Sequence, residues 1–294
     1  MIEGLNLIEK EITAKIIEEL DKIGILYRIF SRTKGINSIN EKIQRKNKEG
    51  TPYVFGGKLI QDLIGIRVVT YFKDDVEIVY SILKTKLNYH EEEIDDIDLT
   101  VFKPKRTNII CKFNSYHSSI FSDVQKVSKT NNYNIIDNTF ELQLRTILSE
   151  GWHEIDHSLR YKCKEDWLNY HENERMLNGI YASLETNDIA LGSLFNELAF
   201  KHYKGKNWEG LIRNKFRLKF QLSALDEKLK EILSNNNSIG KQIFKIDRKE
   251  LLFRISSLEI SLPVNLNNIL YLINKFFIRD QDIFDITPKY ILEN

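Results

Sequence analysis

Nine residues constrain this chain more than any others: Asn138-Thr-Phe-Glu-Leu-Gln-Leu-Arg-Thr146, running into Ile147-Leu-Ser-Glu-Gly-Trp-His-Glu-Ile-Asp-His-Ser-Leu-Arg-Tyr-Lys162. Phe140, Leu142 and Leu144 alternate with Glu141, Gln143 and Arg145, the period of a half-buried strand. The pattern then switches to helical spacing, with Trp152, Ile155 and Leu159 on one stripe. The apolar face needs a packed layer behind it. The polar face needs water or a ligand in front of it. It is therefore either a solvated sheet face or the floor of a polar cleft, with Glu141 placed to hold a metal or accept a proton.

The residues before this strand supply partners for it. Leu7, Ile8, Ile12, Ile16, Ile17 and Leu20 fall at helical spacing and predict an amphipathic helix over 5–24, closed by Gly24. Residues 25–30 are rich in branched and aromatic side chains and predict a strand. Residues 64–72 are nearly all apolar, as in a strand covered on both faces. Asp74 and Asp75 open a helix to about Leu87, acids suiting its N-terminal dipole. Residues 88–106 read as an acidic loop, 108–113 as a strand, 117–124 as a further strand and 125–138 as turns. This alternation predicts one α/β or α+β domain up to about residue 165. Beyond it the chain reads as helical over 173–234, with one long amphipathic helix from Trp208 to Leu233. A break follows at 235–240, then two helices on either side of Pro263. The expected division is 1–165 and 166–294.

Bulk properties exclude some classes. With 294 residues the chain buries one large core or two smaller ones. A net charge of +1 gives no overall basic field for nucleic acid. Two cysteines, Cys111 and Cys163, argue for a reducing compartment without a disulfide frame. The N-terminus is acidic where a signal peptide is basic, and no apolar run reaches membrane length, so a cytoplasmic protein with no membrane partner is expected.

Three groups of residues carry chemistry. Arg32, Lys34, Ser38, Lys42, Arg45 and Lys46 form a compact basic cluster, partly on one helix face. It is a solvated face or a cradle for phosphates. Asp62 and Arg67 interrupt an otherwise apolar strand and must be paired or face a cleft. His153-Glu-Ile-Asp-His157 matches the H-E-x-x-H spacing of zinc hydrolases. No third ligand is marked for it, and zinc leaves Asp62, Arg67, Glu141 and the basic cluster without a role.

Together these segments resemble the synthetase domain of the RelA/SpoT family, small alarmone synthetase type, whose toxic relatives are included. Residues 32–46 are similar to the family's R-x-K…S-I…K…R-K segment. Asp62-Leu-Ile-Gly-Ile-Arg67 matches D-[IL]-x-G-[IL]-R, Phe113-Asn-Ser-Tyr-His117 resembles Y-x-S-x-H, and Glu141-Leu-Gln-Leu-Arg-Thr146 matches E-[IL]-Q-[IL]-R-T. Residues 152–162 are similar to W-x-x-[IL]-[DE]-H-x-x-x-Y-K.

The resemblance implies an α+β fold, a mixed β-sheet flanked by helices of the nucleotidyltransferase-like kind, with an α-helical C-terminal extension. It implies transfer of pyrophosphate from ATP to the 3′-hydroxyl of GDP or GTP, making guanosine tetra- or pentaphosphate and releasing AMP. By resemblance Asp62 and Glu141 hold Mg²⁺, and Glu141 also helps to deprotonate the acceptor hydroxyl. Arg32 and Arg67 sandwich adenine, while Lys34, Ser38, Lys42, Arg45 and Lys46 line the phosphate path. Phe113 stacks on the acceptor base, or Tyr116 does if the register slips by three. His117 and Gln143 border the acceptor, and Glu150 stands where typical members carry an asparagine that reads guanine. No His-Asp dipeptide occurs, so synthesis without the family's hydrolase activity is expected. The alternatives are a toxic relative modifying the 3′ end of tRNA, with its basic helical half contacting tRNA or an antitoxin, a non-catalytic module on the same fold, and the zinc hydrolase. A homo-oligomer is compatible with each.

Overall fold

The computed structural model describes residues 2–94, 107–127 and 131–293. It contains a five-stranded mixed sheet with flanking helices, followed by a run of helices. The chain forms two compact units that interleave along the sequence. The first comprises residues 1–17, 27–70 and 83–183, and the second 18–26, 71–82 and 184–294.

The first unit holds the sheet, in the order β1-β2-β5-β4-β3. Its strands are β1 (Tyr27–Thr33), β2 (Ile64–Thr70), β3 (Tyr89–Ile94), β4 (Thr107–Lys112) and β5 (Thr139–Thr146). β2 and β5 run parallel at the centre, and the other pairings are antiparallel. On one face Ile64, Ile66, Val68, Ile109, Phe140, Leu142 and Leu144 are buried. The first helix, α1 (Ile2–Ile23), contributes Leu5, Ile8, Ile12 and Ile16 to the buried set of this unit. Register places Arg32, Gly65, Glu141 and Ile110 in one row of the other face, and Phe30, Arg67, Gln143 and Asn108 in the next. The alternation expected of β5 is present: Glu141, Gln143 and Arg145 are half-buried between buried neighbours.

Three expectations in this unit are corrected. Residues 117–124 are not a strand but part of α4 (Ser115–Val127). His117, Phe121 and Val124 are its buried residues, at steps of four and three, and Asn114 Oδ1 accepts the His117 N–H at 2.7 Å. The acidic run read as a loop begins with the edge strand β3, whose Glu91, Glu92 and Glu93 are exposed. Charged edges of this kind resist edge-to-edge pairing. The rest of that expected loop, 95–106, lies outside the described residues, as do 128–130 of the turns expected over 125–138. The remaining helices here are α2 (Ile36–Lys48) and α5 (Ile147–Ile155), with most of α3 (Lys73–Lys86) in the second unit. α5 widens to a π-helical turn at Asp156–Tyr161. Trp152 is buried, but Ile155 and Leu159 are exposed instead of continuing its stripe.

In the second unit the single helix expected over 208–233 is two. α6 (His171–Lys204) precedes α7 (Trp208–Phe216), which stops where Arg217 takes a left-handed conformation (φ 48°), and α8 (Glu227–Asn235) starts afresh on the Asp226 cap. The residues between bond elsewhere: Lys219 N–H donates to the Gly24 carbonyl (2.7 Å) and Gln221 N–H to the Val264 carbonyl (2.9 Å). These long-range partners satisfy backbone groups that a continuous helix would have paired locally. The expected break at 235–240 is one cap, Asn236, before α9 (Asn237–Lys245). Gly240 is required there, because the Trp208 ring occupies the space of a Cβ. α10 (Arg248–Ser256) and α11 (Leu266–Ile273) flank Pro263, and α12 (Gln281–Ile286) and α13 (Lys289–Leu292) complete the chain. No helix among the described residues is long and apolar enough to cross a membrane.

Candidate active site

Asp62 sits in the extended run before β2, and its neighbours are pinned. The Ile60 N–H donates to the Ile135 carbonyl (2.9 Å), and the Ile60 carbonyl accepts from the Asp137 N–H (2.8 Å). The Leu63 carbonyl accepts from the Lys34 N–H at 2.8 Å, and Thr139 Oγ1 donates to the Gln61 carbonyl at 3.1 Å. This ties Asp62 to the ends of both β1 and β5. Lys34 and, from α2, Lys42 (2.7 Å) donate to its Oδ2, while Oδ1 is buried without a partner. Burial would raise the Asp62 pKa, but the two ammonium groups outweigh it and hold the carboxyl below its ordinary value. At Lys34 burial wins and the pKa falls, whereas at Lys42 burial is outweighed by Asp62 and the pKa rises.

Glu141 is held from both sides. Asn108 Nδ2 donates to Oε1 at 2.9 Å and Gln143 Nε2 to Oε2 at 2.8 Å. Its pKa is raised, first by burial and then by the negative charge of Asp62. That second cause places the two carboxylates within electrostatic reach of one another, although they come from distant parts of the sequence. Between Arg32 and Glu141 the register leaves Gly65, where a Cβ would meet nothing within 4 Å. The floor beside Glu141 is therefore open.

The polar row continues through Arg67. Its Nε donates to Gln143 Oε1 at 3.0 Å, and its guanidinium also donates to Glu150 and Glu154 of α5. α5 is aimed by its N-cap: Thr146, the last residue of β5, accepts the Ser149 N–H at 3.2 Å, and Ser149 Oγ reciprocates to the Thr146 N–H at 3.2 Å.

The expected site residues divide. Asp62, Glu141, Lys34, Lys42, Arg67 and Gln143 share one polar face with its rim, and Arg32 is exposed in the same row. Ser38 is exposed in the first turn of α2. Arg45 lies 5.9 Å from the Tyr161 ring, and Lys46 pairs with Glu49 at 2.6 Å, so the five cations do not converge on one point. Phe113 is not brought to the cleft: it is 5% exposed, nearly parallel to the Phe140 ring at 6.2 Å and edge-on to Phe121. Tyr116 is 55% exposed at the start of α4. His117 is buried, with Nε2 2.9 Å from Glu11 on α1. Glu150 gives Oε1 to Arg67, and its Oε2 is buried without a partner. Asn108 was missed. Its only signal was a polar residue at the head of the apolar run Ile109-Ile110-Cys111.

The H-E-x-x-H residues make other contacts. His153 packs edge-on against Trp152, burial with the nearby Arg145 and Arg67 charges pushes it down to about 4, and His157 stacks on Tyr161. Glu154 is engaged by Arg67. Among the described residues no three His, Cys, Asp or Glu side chains are grouped to hold a metal ion. Magnesium needs less, because it takes one or two carboxylates together with substrate phosphates. The unpartnered Asp62 oxygen beside Glu141 fits that requirement.

Residues 31–166 match the family described as "Region found in RelA / SpoT proteins". The GTP pyrophosphokinase YwaC of Bacillus subtilis is 31% identical over 136 residues, covering 46% of this chain and 59% of the relative. The GTP pyrophosphokinase YjbM of the same organism is 28% identical over 134 residues, covering 46% and 56%. The match thus spans less than two thirds of these relatives' length. Among solved structures, small alarmone synthetase 1 from Bacillus subtilis aligns with a TM-score of 0.48 at 19% identity, covering 67% of this chain and 94% of that one. Over residues 31–166, this chain is similar to the RelA/SpoT family.

Proposed function

We propose that the protein transfers pyrophosphate from ATP to the 3′-hydroxyl of GDP or GTP, releasing AMP. The observation that carries this reading is the meeting of Asp62 and Glu141 beside Lys34 and Lys42. Such a site suits a polyanion that must be attacked at phosphorus. Asp62, held ionised by its two lysines, and Glu141 are the residues that would hold Mg²⁺. A magnesium ion bound there would draw off charge from the donor phosphates in the transition state.

The bond formed joins the acceptor O3′ to the β-phosphorus of ATP, the bond broken is the bridge between α- and β-phosphates, and AMP leaves with that oxygen. Glu141, with its raised pKa, takes the hydroxyl proton. Lys34 and Lys42 offer charge to the β- and γ-phosphates, with Ser38, Arg45 and Lys46 further along α2. Arg32 and Arg67 flank adenine, a use that planar guanidinium serves and ammonium does not. Tyr116, the exposed ring, takes the acceptor base in place of the buried Phe113. The curated relatives named as GTP pyrophosphokinases support a guanine nucleotide as acceptor. Catalysis is assigned to residues 1–165, and a cytoplasmic location suits the nucleotide substrates.

The test uses ATP labelled on its γ-phosphate, offered with GDP, GTP or bulk tRNA. Label on GDP or GTP with stoichiometric AMP is expected. Label on tRNA alone would replace the acceptor, and no transfer by folded protein would end the reading. Asp62→Asn and Glu141→Gln should each lower transfer by at least about a hundredfold with an unchanged circular dichroism spectrum.

A further inference from the structure

Tyr53 lies outside every segment that carries the resemblance, in the stretch that leads from α2 back to Asp62. α2 ends with Gly50 in a left-handed conformation (φ 72°). The Gly50 N–H donates to the Asn47 carbonyl at 3.2 Å and the Thr51 N–H to the Lys46 carbonyl at 3.0 Å. This pair of bonds is a Schellman ending, which reverses the chain along the helix it has just left. A second reversal follows at once. The Gly57 N–H donates to the Val54 carbonyl at 3.0 Å, with Gly56 (φ 79°) at the turn position that needs a left-handed residue. The Val54 N–H closes it on the Lys58 carbonyl at 3.1 Å. Tyr53 is thus fixed between two glycine-dependent reversals. Phe55, at the corner of the second, is 80% exposed, whereas Tyr53 is 9% exposed.

Lys42 Nζ, on α2, is 5.6 Å from the centre of the Tyr53 ring and donates to the phenol oxygen. The same ammonium donates to Asp62 Oδ2 at 2.7 Å. These two partners act differently on it. Asp62 cancels the charge of the lysine, and an Asp62 oxygen given to Mg²⁺ is no longer free for Lys42. The phenol is neutral, so it places the ammonium and leaves its charge for a phosphate. Lysine carries that charge on a flexible four-carbon stem. Without a fixed neutral partner the ammonium stays on Asp62 or swings into water. Resting on the pyrophosphokinase reading, we propose that Tyr53 is a positioning residue for Lys42: the phenol, fixed by the turn, holds the ammonium where it meets the triphosphate of ATP.

The probe is an ATP analogue with a methylene bridge between its α- and β-phosphates, which cannot give up pyrophosphate, and its binding is followed by calorimetry. Tyr53→Phe keeps the ring and removes the oxygen. It should weaken binding on the order of tenfold and raise KM for ATP in step, with KM for GDP within about twofold of wild type. Tyr53→Leu, which removes the ring as well, should weaken binding at least as much. The deciding comparison is made in Lys42→Met, where adding Tyr53→Phe should change binding by less than about twofold, because the residue it acts through is gone. Wild-type affinity in Tyr53→Phe overturns the proposal, and so does an equal loss with and without Lys42; transfer by the wild type then leaves the kinase reading intact. A wild type that binds the analogue but transfers to no acceptor sinks the kinase reading, and the coupling of Tyr53 to Lys42 still decides the positioning role. A wild type that binds no analogue overturns both.

Discussion

Asp62 and Glu141 are the same functional group in one neighbourhood, and the fold pushes them in opposite directions. Both are desolvated, but two ammonium groups meet Asp62 and, among the described residues, none bonds to Glu141, which also feels Asp62 as a like charge. In the proposed reaction the pair therefore divides into a permanent anion and a proton acceptor. A raised pKa means that Glu141 is protonated on the acid side of its own midpoint and competent above it. Asp62 stays ionised throughout that window, because its pKa is lowered. The acid limb of kcat against pH should accordingly be a single step above the ordinary glutamate range, and Glu141→Asp should retain the step at a displaced position. A limb at the usual carboxylate pKa, or a two-proton slope, would contradict this division. Much of the site was legible in the sequence: an acid in an alternating strand and an acid at the mouth of an apolar one announce themselves by breaking a pattern. The ring proposed to stack on the acceptor base did not. Phe113 and Tyr116 are both aromatic and three residues apart, and only burial of the first against Phe140 separates them.

At the level of elements, the strand–helix corner at Thr146 decides where the α5 carboxylates point. Thr146 ends β5 and caps α5, and it exchanges hydrogen bonds with Ser149 in both directions. Glu150 and Glu154 reach Arg67 from that helix. Thr146→Ala removes the cap and should cost about 1 kcal/mol, read as a lower urea midpoint with an unchanged m-value. It should also loosen Arg67, seen as a higher KM for ATP. Thr146→Ser should restore both. If the alanine variant lost stability with its KM unchanged, the cap would be structural alone. The sequence marks this corner well, because the period changes from two to that of a helix within a few residues. It marks α4 poorly. His117, Phe121 and Val124 are helical in spacing, but the run between is short and mixed, and the Asn114 cap is visible only once the start is known. The split of the expected 208–233 helix was not legible at all, since residues 217–221 are held by Gly24 and Val264, which no local window contains.

Across the whole molecule, the second unit is assembled from three separated stretches, and a buried ion pair ties two of them together. Asp75, at the start of α3, has a fully buried side chain, and Arg248, at the start of α10, is 7% exposed. Arg248 donates to Asp75, to Asp74 Oδ2 at 3.3 Å and, through Nε, to the Phe216 carbonyl at 2.7 Å. Burial raises the Asp75 pKa more than Arg248 lowers it, so the carboxylate is ionised at a cost that Arg248, and more weakly Arg217, offsets. Removing one partner and replacing both should then differ sharply. Arg248→Ala leaves a buried carboxylate alone and should destabilise this unit by about 3–5 kcal/mol. Asp75→Leu combined with Arg248→Met removes both charges while filling the space, and should recover most of that loss. The sign of the pH dependence follows from the raised pKa. Protonating Asp75 relieves the single variant, so its deficit should be largest above neutrality and shrink as the pH falls. Trp208, buried in this unit, reports the transition by fluorescence once Trp152 and Trp167 are changed to phenylalanine. If Arg248→Ala lay within about 0.5 kcal/mol of the parent, or lost equally at pH 5 and pH 8, the pair would not be what joins residues 71–82 to the C-terminal helices.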